Sequence, residues 1–386
     1  MKLRTPDYFD EFKCIADKCE DTCCAGWGVV IDDRSYEKYL SIKGAFGEEL
    51  RSNIVKDEEG DNVFTLNGDR CSFLNDDNLC KIYSELGGDA LCYTCRQYPR
   101  YLEEFGNLRE IGLSLSCPEA ARIILRKSQV VNFNLSEIDE EVSSYNDINP
   151  NIYINLMQCR KVIFDILQDR KIELIDRCIL ALTFVNEIQE KIDSNDINSI
   201  RNIKDKYINK EFIYEKLKSF HIYNNRLEDK YLNIYNIINI FKNLKHLKDN
   251  DILGLENSLR YFWKDNEDIN IYSELNISFN NYYKKNEYKF EQIVIYYVYR
   301  YFMKAVFDYD ALAKIKFALI SFIMIKELSI IRYLENKEFL NEDLVDIAYK
   351  YSRDIEHLEE NIETLAELFK IYPVFKLEEL LIMVMN

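Results

Sequence analysis

The sequence CIADKCEDTCC at residues 14–24 places four cysteines within one short stretch. Further cysteines follow in CSFLNDDNLC at residues 71–80, in CYTC at residues 92–95 and at Cys117. Nine of the 11 cysteines of this 386-residue chain therefore lie in its first 117 residues. Because thiolates are soft ligands for zinc and for iron–sulfur clusters, this concentration predicts that the N-terminal part folds around a metal site.

The other potential soft ligands do not join this pattern. Cys159 and Cys178 stand in apolar helical sequence and are predicted to pack in the core. His221, His246 and His357, the three histidines of the chain, lie far from the cysteines in sequence and are not expected to be ligands. An all-thiolate site fits either a four-cysteine zinc or a [4Fe–4S] cluster. Since nine thiols exceed one four-ligand centre, either two centres exist or some cysteines are not ligands.

Cys117 has a position of its own, because Pro118 follows it and opens an apolar helical segment. Proline favours the first turn of a helix, so Cys117 is predicted to be the residue that precedes the first helical turn. The amide groups and the positive end of the helix dipole would stabilise a thiolate there.

The remainder of the chain has the composition of long helices. Ten of the 11 glycines lie between Gly26 and Gly112, and no proline occurs between Pro150 and Pro373. Sequence without these two residues is typical of long helices. We therefore predict a mostly α fold, in which an irregular cysteine-rich module at residues 1–135 is followed by an acidic linker at 136–150 and a helical domain at 151–386.

Apolar residues at steps of three and four predict individual helices in this second part. From Leu344 to Phe369 they form one stripe, which predicts a single helix that ends before Pro373. The other segments with helical character are Tyr153–Leu167, Glu173–Ile192, Tyr231–Leu247, Phe290–Phe307 and Ala311–Leu334.

Charge and hydropathy exclude some classes of function. The formal net charge of −17 argues against binding to nucleic acid and suits a cationic partner such as a lysine-rich surface. The most apolar stretches contain lysine and arginine, so no membrane span is predicted. The N-terminus has no apolar signal-peptide region, which predicts a cytoplasmic protein with reduced thiols and makes disulfides the weaker interpretation.

Four motifs of the cysteine-rich part resemble the flagellin lysine-N-methylase family, whose members carry a CxxCxxCC-type zinc- or iron-chelating domain. They are Tyr8-x3-Phe12-x-Cys14-x4-Cys19-x3-Cys23-Cys24-x2-Trp27, Cys71-Ser-Phe-Leu-x5-Cys80, Thr94-Cys95-x3-Pro99-Arg100 and Ser114-Leu-Ser-Cys117-Pro-Glu-Ala-Ala-Arg. The resemblance covers roughly residues 4–125 and continues faintly into the helical part.

The resemblance implies an enzyme that transfers methyl groups from S-adenosylmethionine to surface lysines of flagellin and needs a [4Fe–4S] cluster, with zinc as the alternative metal. Carried over to this sequence, the implied metal ligands are Cys14, Cys19, Cys23, Cys24, Cys71, Cys80, Cys95 and Cys117. Cys92 departs from the pattern, which often has serine there, and is expected to be a bystander.

Two other classes of function remain open: a zinc-stapled helical binding protein without catalysis, and an iron–sulfur redox protein. No glycine-rich GxGxG loop is present, so a Rossmann-type cofactor site is not expected. The Cys-x3-Cys-x2-Cys triplet of radical chemistry is also missing, because Gly26 occupies its third position. Arg96, Tyr98 and Arg100 lie beside Cys95, where arginine could neutralise a cluster, hold a carboxylate or form a surface ion pair.

Overall fold

The computed structural model describes residues 1–140, 142, 148–246, 254–265 and 268–386. The strands are β1 (Lys2–Pro6), β2 (Ile54–Lys56), β3 (Asn62–Phe64), β4 (Leu66–Asn67), β5 (Arg70–Cys71), β6 (Arg100–Phe105), β7 (Leu108–Leu113) and β8 (Phe133–Glu137). The helices are α1 (Asp33–Ser41), α2 (Ala45–Ser52), α3 (Lys81–Leu86), α4 (Tyr93–Gln97), α5 (Pro118–Arg126), α6 (Pro150–Leu167), α7 (Leu174–Asp193), α8 (Ile200–Ile208), α9 (Lys210–Ser219), α10 (Leu227–Lys242), α11 (Leu255–Arg260), α12 (Ile269–Tyr283), α13 (Tyr288–Tyr301), α14 (Ala305–Asp308), α15 (Ala311–Asn336), α16 (Asn341–Glu356), α17 (Glu359–Ile371) and α18 (Leu377–Met385).

The prediction of a mostly α fold is confirmed, and the module contains in addition a sheet that the sequence did not reveal. Its strand order is β6-β7-β1-β8. The β6–β7 hairpin is antiparallel, whereas β1 pairs in parallel with β7 and antiparallel with β8. The first strand of the chain thereby joins segments that lie more than a hundred residues away, and such long-range pairing leaves no local sequence signal.

Helix α15 forms the centre of the helical part. It is 26 residues long, and its residues from Ile315 to Ile325 are all buried. A helix that is apolar on every side belongs in the interior of a protein. Helices α7, α13, α16 and α17 pack against it, so α16 is held between this central helix and the cysteine-rich module.

The predicted helices exist with shifted ends. Segments 153–167, 173–192 and 311–334 lie in α6, α7 and α15, and 290–307 is divided between α13 and α14 by a short 3-10 turn. Helix α10 already ends at Lys242, and Leu247, the predicted end, lies outside the described residues.

The prediction of one helix from Leu344 to Phe369 is wrong, because α16 and α17 are separate helices. The chain leaves the helical conformation at Leu358, where φ is −105° and ψ is 98°. The side-chain amide of Asn361 donates a hydrogen bond to the backbone carbonyl of Asp354 at 3.2 Å. This carbonyl lies in the last turn of α16, where the helix offers it no amide partner. The apolar stripe continues in phase across the break, so periodicity alone did not reveal it.

Two hydrophobic clusters organise the described residues. A small cluster inside the module contains Val29, Ile31, Tyr39, Phe64 and Phe73. A large cluster contains the buried apolar residues of the helical part and of α5, together with module residues such as Tyr8, Phe12, Phe105 and Val131. Part of the predicted linker, residues 136–137, belongs to β8, and residues 141 and 143–147 lie outside the described part. The division into two domains and a linker stays a prediction.

Among the described residues, no helix combines the length and the apolar character that crossing a bilayer requires.

Candidate metal centre

Short elements of the module position its cysteines. Cys71 ends β5, and Cys80, Cys92 and Cys117 are the residues that precede the first turns of α3, α4 and α5. Cys95 follows Cys92 one helical turn later, so both sulfurs lie on one side of α4. The first four cysteines lie in the irregular segment between β1 and α1, where glycine and short turns allow the chain to bend.

These elements surround one cavity of about 570 Å³. Seven thiols line it: Cys14, Cys19, Cys23, Cys24, Cys80, Cys95 and Cys117. Of the eight ligands implied by the resemblance, Cys71 does not line the cavity; it is buried, as is Cys92. All 11 cysteines are free thiols, and Cys159 and Cys178 are buried in the large hydrophobic cluster, which confirms their predicted role in the core.

The donor set fits a thiophilic metal group. The sulfurs of Cys23 and Cys24 are 3.9 Å apart, close to the separation of about 3.8 Å that two thiolates have when both bind zinc at about 2.3 Å. In the described residues, no three His, Cys, Asp or Glu side chains are already gathered at one point that would hold an ion. The seven thiols instead surround a space, and they come from separate segments of the chain, as ligands of a polynuclear group do.

Burial sets the protonation of these thiols. It raises the pKa of Cys71 to about 11 and that of Cys117 to about 12. The hydrogen bond with Cys23, aided by Thr22 and Arg70, lowers the pKa of Cys24 to about 7 although burial opposes this shift. Since a metal binds thiolates, it must displace the protons that burial otherwise keeps on Cys71 and Cys117.

Cys117 lies where the sequence predicted it, directly before the first turn of α5. The backbone amides of Ala120 and Glu119 hydrogen-bond to its sulfur and oppose the rise of its pKa. The amides at the helix start therefore favour a thiolate, as predicted, but the burial of Cys117 has the larger effect on its pKa.

Two arginines, one from the helical part and one from α5 of the module, hold the first cysteine segment in place. The guanidinium of Arg353 on α16 donates to the Asp21 carboxylate at 2.7 Å and to the Thr22 carbonyl at 3.2 Å. Arg353 also lines the cavity. On the outside of the segment, Arg122 of α5 pairs with both Glu20 and Glu342. The segment between Cys19 and Cys23 is therefore fixed from two sides by charge.

We expect Arg353→Ala to lower the affinity for the bound metal about 10–100-fold, as the loss of groups that orient metal ligands commonly does. Titration with a competing chelator measures this affinity. Arg353→Lys keeps the charge beside Asp21 and should restore part of the loss. Arg332→Ala is the matched control, since Arg332 makes its ion pairs with Asp343 and Asp346. Equal affinities in Arg353→Ala and the control would contradict the role of Arg353.

Aromatic side chains form another wall of the cavity. The indole N–H of Trp27 donates to the carbonyl of Cys23 at 2.9 Å, and its ring contacts Tyr98 and His357. Behind this wall, the hydroxyl of Ser116 lies 2.8 Å from Nε2 of His357 and 3.1 Å from the hydroxyl of Tyr98. His357 is thus a half-buried histidine with a hydrogen-bond partner. That it is not a metal ligand stays a prediction.

His357 makes stability depend on pH. Burial, aided by the positive charges of Arg300 and Arg353, lowers its pKa from 6.5 to about 4. Because the unfolded chain binds a proton near pH 6.5 and the folded chain does not, stability is lost as the pH falls from 6.5 to about 4, by up to about 3 kcal/mol.

Denaturant unfolding of the native chain and of His357→Gln at both ends of this pH window tests the effect. Glutamine can still hydrogen-bond to Ser116 but does not titrate, so the variant should lose less stability in acid. Other groups that titrate in this pH range change the free energy of unfolding of both chains equally, so their contribution cancels in the comparison. Equal losses would contradict the assignment to His357.

A buried carboxylate next to the cavity wall was missed by sequence reasoning. Glu356, at the end of α16, accepts hydrogen bonds from the hydroxyls of Tyr296, Tyr297 and Tyr301 and pairs with Arg300 at 2.8 Å. Arg300 in turn donates to the hydroxyl of Ser114, three residues before Cys117. The repeated tyrosines of α13 were the signal in the sequence, but their partner lies about 55 residues further along the chain.

Two domain families match this chain. The FliB lysine N-methylase C-terminal domain matches residues 160–383. The CxxCxxCC domain, whose proposed role is zinc or iron chelation, matches residues 13–112. No solved structure matches the chain closely enough to be compared with it.

Curated relatives match over a shorter part. The flagellar biosynthetic protein FliU of Salmonella muenchen is 32% identical over 131 residues, which make up 32% of this chain and 78% of that protein. Lysine-N-methylases of Salmonella typhimurium and Salmonella choleraesuis are 29% and 31% identical over 131 residues. These matches cover 32% of this chain but only 33% of each lysine-N-methylase.

Proposed function

Because this chain belongs to the FliB lysine N-methylase family, we propose that it transfers methyl groups from S-adenosylmethionine to lysine side chains of flagellin. We further propose that a [4Fe–4S] cluster occupies the cysteine-lined cavity, with zinc as the alternative metal. The free state of all 11 cysteines supports a reducing compartment, the cytoplasm, as the place of the reaction.

The observation that carries this proposal is the meeting of both matched regions at one cavity. Its thiols up to Cys95 come from the region that matches the zinc- or iron-chelating family, and Arg353 comes from the region that matches the methylase family. A volume of about 570 Å³ falls within the usual range of small-molecule sites, which is about 300–1,000 Å³. One pocket therefore offers room for a methyl donor beside a metal group.

The proposed reaction is a direct displacement. The neutral ε-amine of the substrate lysine attacks the methyl carbon of the sulfonium, a nitrogen–carbon bond forms, and the sulfur leaves with the electron pair of the broken sulfur–carbon bond. The amine must first lose its proton, and it must lie in line with the methyl group. Removing water from around the amine favours its neutral form.

Residues of the cavity wall suit these requirements. Phe12, Trp27 and Tyr98 offer apolar faces for the aliphatic part of a lysine side chain and exclude water. Asp21, which is paired with Arg353, brings a carboxylate to the wall that can attract the ammonium form.

Arg96 and Arg100 also line the cavity. The guanidinium of Arg100 lies 5.1 Å above the Phe12 ring. Planar guanidinium groups suit the carboxylate of an amino-acid donor.

Four of the eight cysteines implied by the resemblance would hold the metal group, and seven of these eight line the cavity. When bound, the group would join the cysteine segments through metal–thiolate bonds and so organise the site. The chain's own residues would then orient the amine and exclude water.

Incubation of anaerobically purified protein with S-adenosylmethionine and the cognate flagellin tests the proposal. Mass spectrometry should find methylated lysines on flagellin and an equal amount of S-adenosylhomocysteine. Omitting the donor is the first control, and flagellin acetylated on its lysines is the second. Iron-containing protein with a reversible redox couple but no methyl transfer would contradict the proposal and favour a redox protein. Zinc-containing protein without transfer would favour a binding protein.

A further inference from the structure

The nine cysteines of the module fall into two groups in space. Five of them belong to the small hydrophobic cluster or pack directly against it. We call these the inner group: Cys24, Cys71, Cys80, Cys92 and Cys95. The outer group contains Cys14, Cys19, Cys23 and Cys117, all of which line the cavity. Cys117 belongs to the large hydrophobic cluster and not to the small one.

Backbone pairing brings three members of the inner group together. The amide of Cys71 donates to the carbonyl of Cys24 at 2.7 Å. The turn that follows is closed by an isolated bridge between Leu74 and Cys80 and by the amide of Leu74, which donates to the carbonyl of Cys71. Segments that are distant in sequence are thereby held side by side.

Helix α4 adds the two other members. Cys92 is fully buried, and its sulfur lies 3.9 Å from the carbonyl oxygen of Val30. Its side chain also hydrogen-bonds to that of Cys95. Cys92 therefore lies beside a cavity-lining cysteine, at a position from which a metal ligand could act.

Cys14 is the exposed member of the outer group, and Cys19 and Cys23 are half-buried. Three members of the inner group are also half-buried and line the same cavity: Cys24, Cys80 and Cys95. Cys117 is the buried member of the outer group and sits at the start of α5. The two groups are joined where the chain turns from Cys23 to Cys24, whose sulfurs are 3.9 Å apart.

We propose that the module holds two metal centres: a closed one on four of the five inner cysteines, Cys92 included, and an open one on Cys14, Cys19, Cys23 and Cys117. The inner centre takes a single zinc-like ion, since two of its thiols, those of Cys71 and Cys92, are buried and four cysteines are a usual ligand set of structural zinc sites. The outer centre takes the iron–sulfur group and faces the substrate cavity. This inference rests on the proposed metal site and not on methyl transfer.

Metal and sulfide analysis of the anaerobically purified full chain, with its visible absorption spectrum, tests the inference. The native chain should contain one zinc and one iron–sulfur cluster. Cys92→Ser should lose the zinc and keep the visible absorption of the cluster. Cys14→Ser should lose the cluster absorption and keep the zinc. Cys178→Ser is the matched control and should keep both, and circular dichroism shows whether each variant is folded.

A native chain with only one metal centre would overturn the inference whatever the variants do, as would a folded Cys92→Ser with its full metal content. Joint loss of both metals in both folded variants would also overturn it, since it indicates one shared centre. Methyl transfer by the native chain is measured separately. If the chain holds only one metal centre but still transfers methyl groups, this inference is wrong and the proposed function stands. Absence of transfer with two centres present rejects only the proposed function.

Discussion

Cys23→Ala is expected to remove the iron–sulfur group and to lower methyl transfer by more than about 100-fold, since even the loss of groups behind a metal ligand often costs about 10–100-fold. Cys23 lines the cavity, and its carbonyl also accepts the hydrogen bond of Trp27. The substitution takes away one thiolate and leaves this backbone contact in place. Iron content and the rate of lysine methylation are measured on the same anaerobic preparation.

The matched control for this substitution is Cys178→Ala, which removes an equally sized side chain from α7. Cys178 is fully buried in the large hydrophobic cluster, away from the cavity. This variant should keep its iron and its methyl transfer, with a moderate loss of stability from the small space left behind. If both variants kept their iron, or both lost it, the distinction between metal-binding and core cysteines would be wrong.

Glu356→Gln is expected to lower the free energy of unfolding by about 3–5 kcal/mol, the usual cost of removing one partner of a buried ion pair. The Glu356 side chain is fully buried and pairs with Arg300, whose side chain is 15% exposed. Glutamine has nearly the same shape, so the loss comes from the uncompensated charge of Arg300 and from the altered hydrogen bonds of Tyr297 and Tyr301. Denaturant unfolding measures the change.

Glu360→Gln is the control for the same chemical change on the surface. Glu360 pairs with Lys245, and both side chains are largely exposed. Such pairs contribute about 0–1 kcal/mol, so the expected loss is small. A Glu356→Gln variant that is as stable as Glu360→Gln would show that the network around Glu356 does not hold α13 and α16 together.

The fold could be predicted wherever the signal was local. Helices α6, α7 and α15 show their apolar periodicity in the sequence, and Asn149 and Pro150 mark the start of α6, where the Asn149 side chain caps the amides of Asn151 and Ile152. The sheet could not be predicted in the same way, because β1 finds its partners only after the chain returns at β7 and β8. The break at Leu358 was hidden by an apolar stripe that continues in phase on both sides.

The candidate site could be predicted in part. The cysteine spacing indicated which residues surround the cavity, because each short run brings its own thiols together. Arg353 could not be found, since its contact with Asp21 joins residues more than 300 positions apart. The interpretation of Cys92 as a bystander rested on a family pattern, whereas its burial beside Cys95 became visible only in the structure. Sequence spacing reveals the ligand types, and the fold decides how they are grouped.

The most direct test of the central claim measures methyl transfer to flagellin before and after the metal is removed. Protein purified without oxygen should be assayed as isolated, after chelation, and after reconstitution with iron and sulfide. We predict that activity disappears with the metal, while the helical circular dichroism signal of the described helices is largely kept, and that it returns with the metal. Undiminished methyl transfer by metal-free, folded protein would contradict the account.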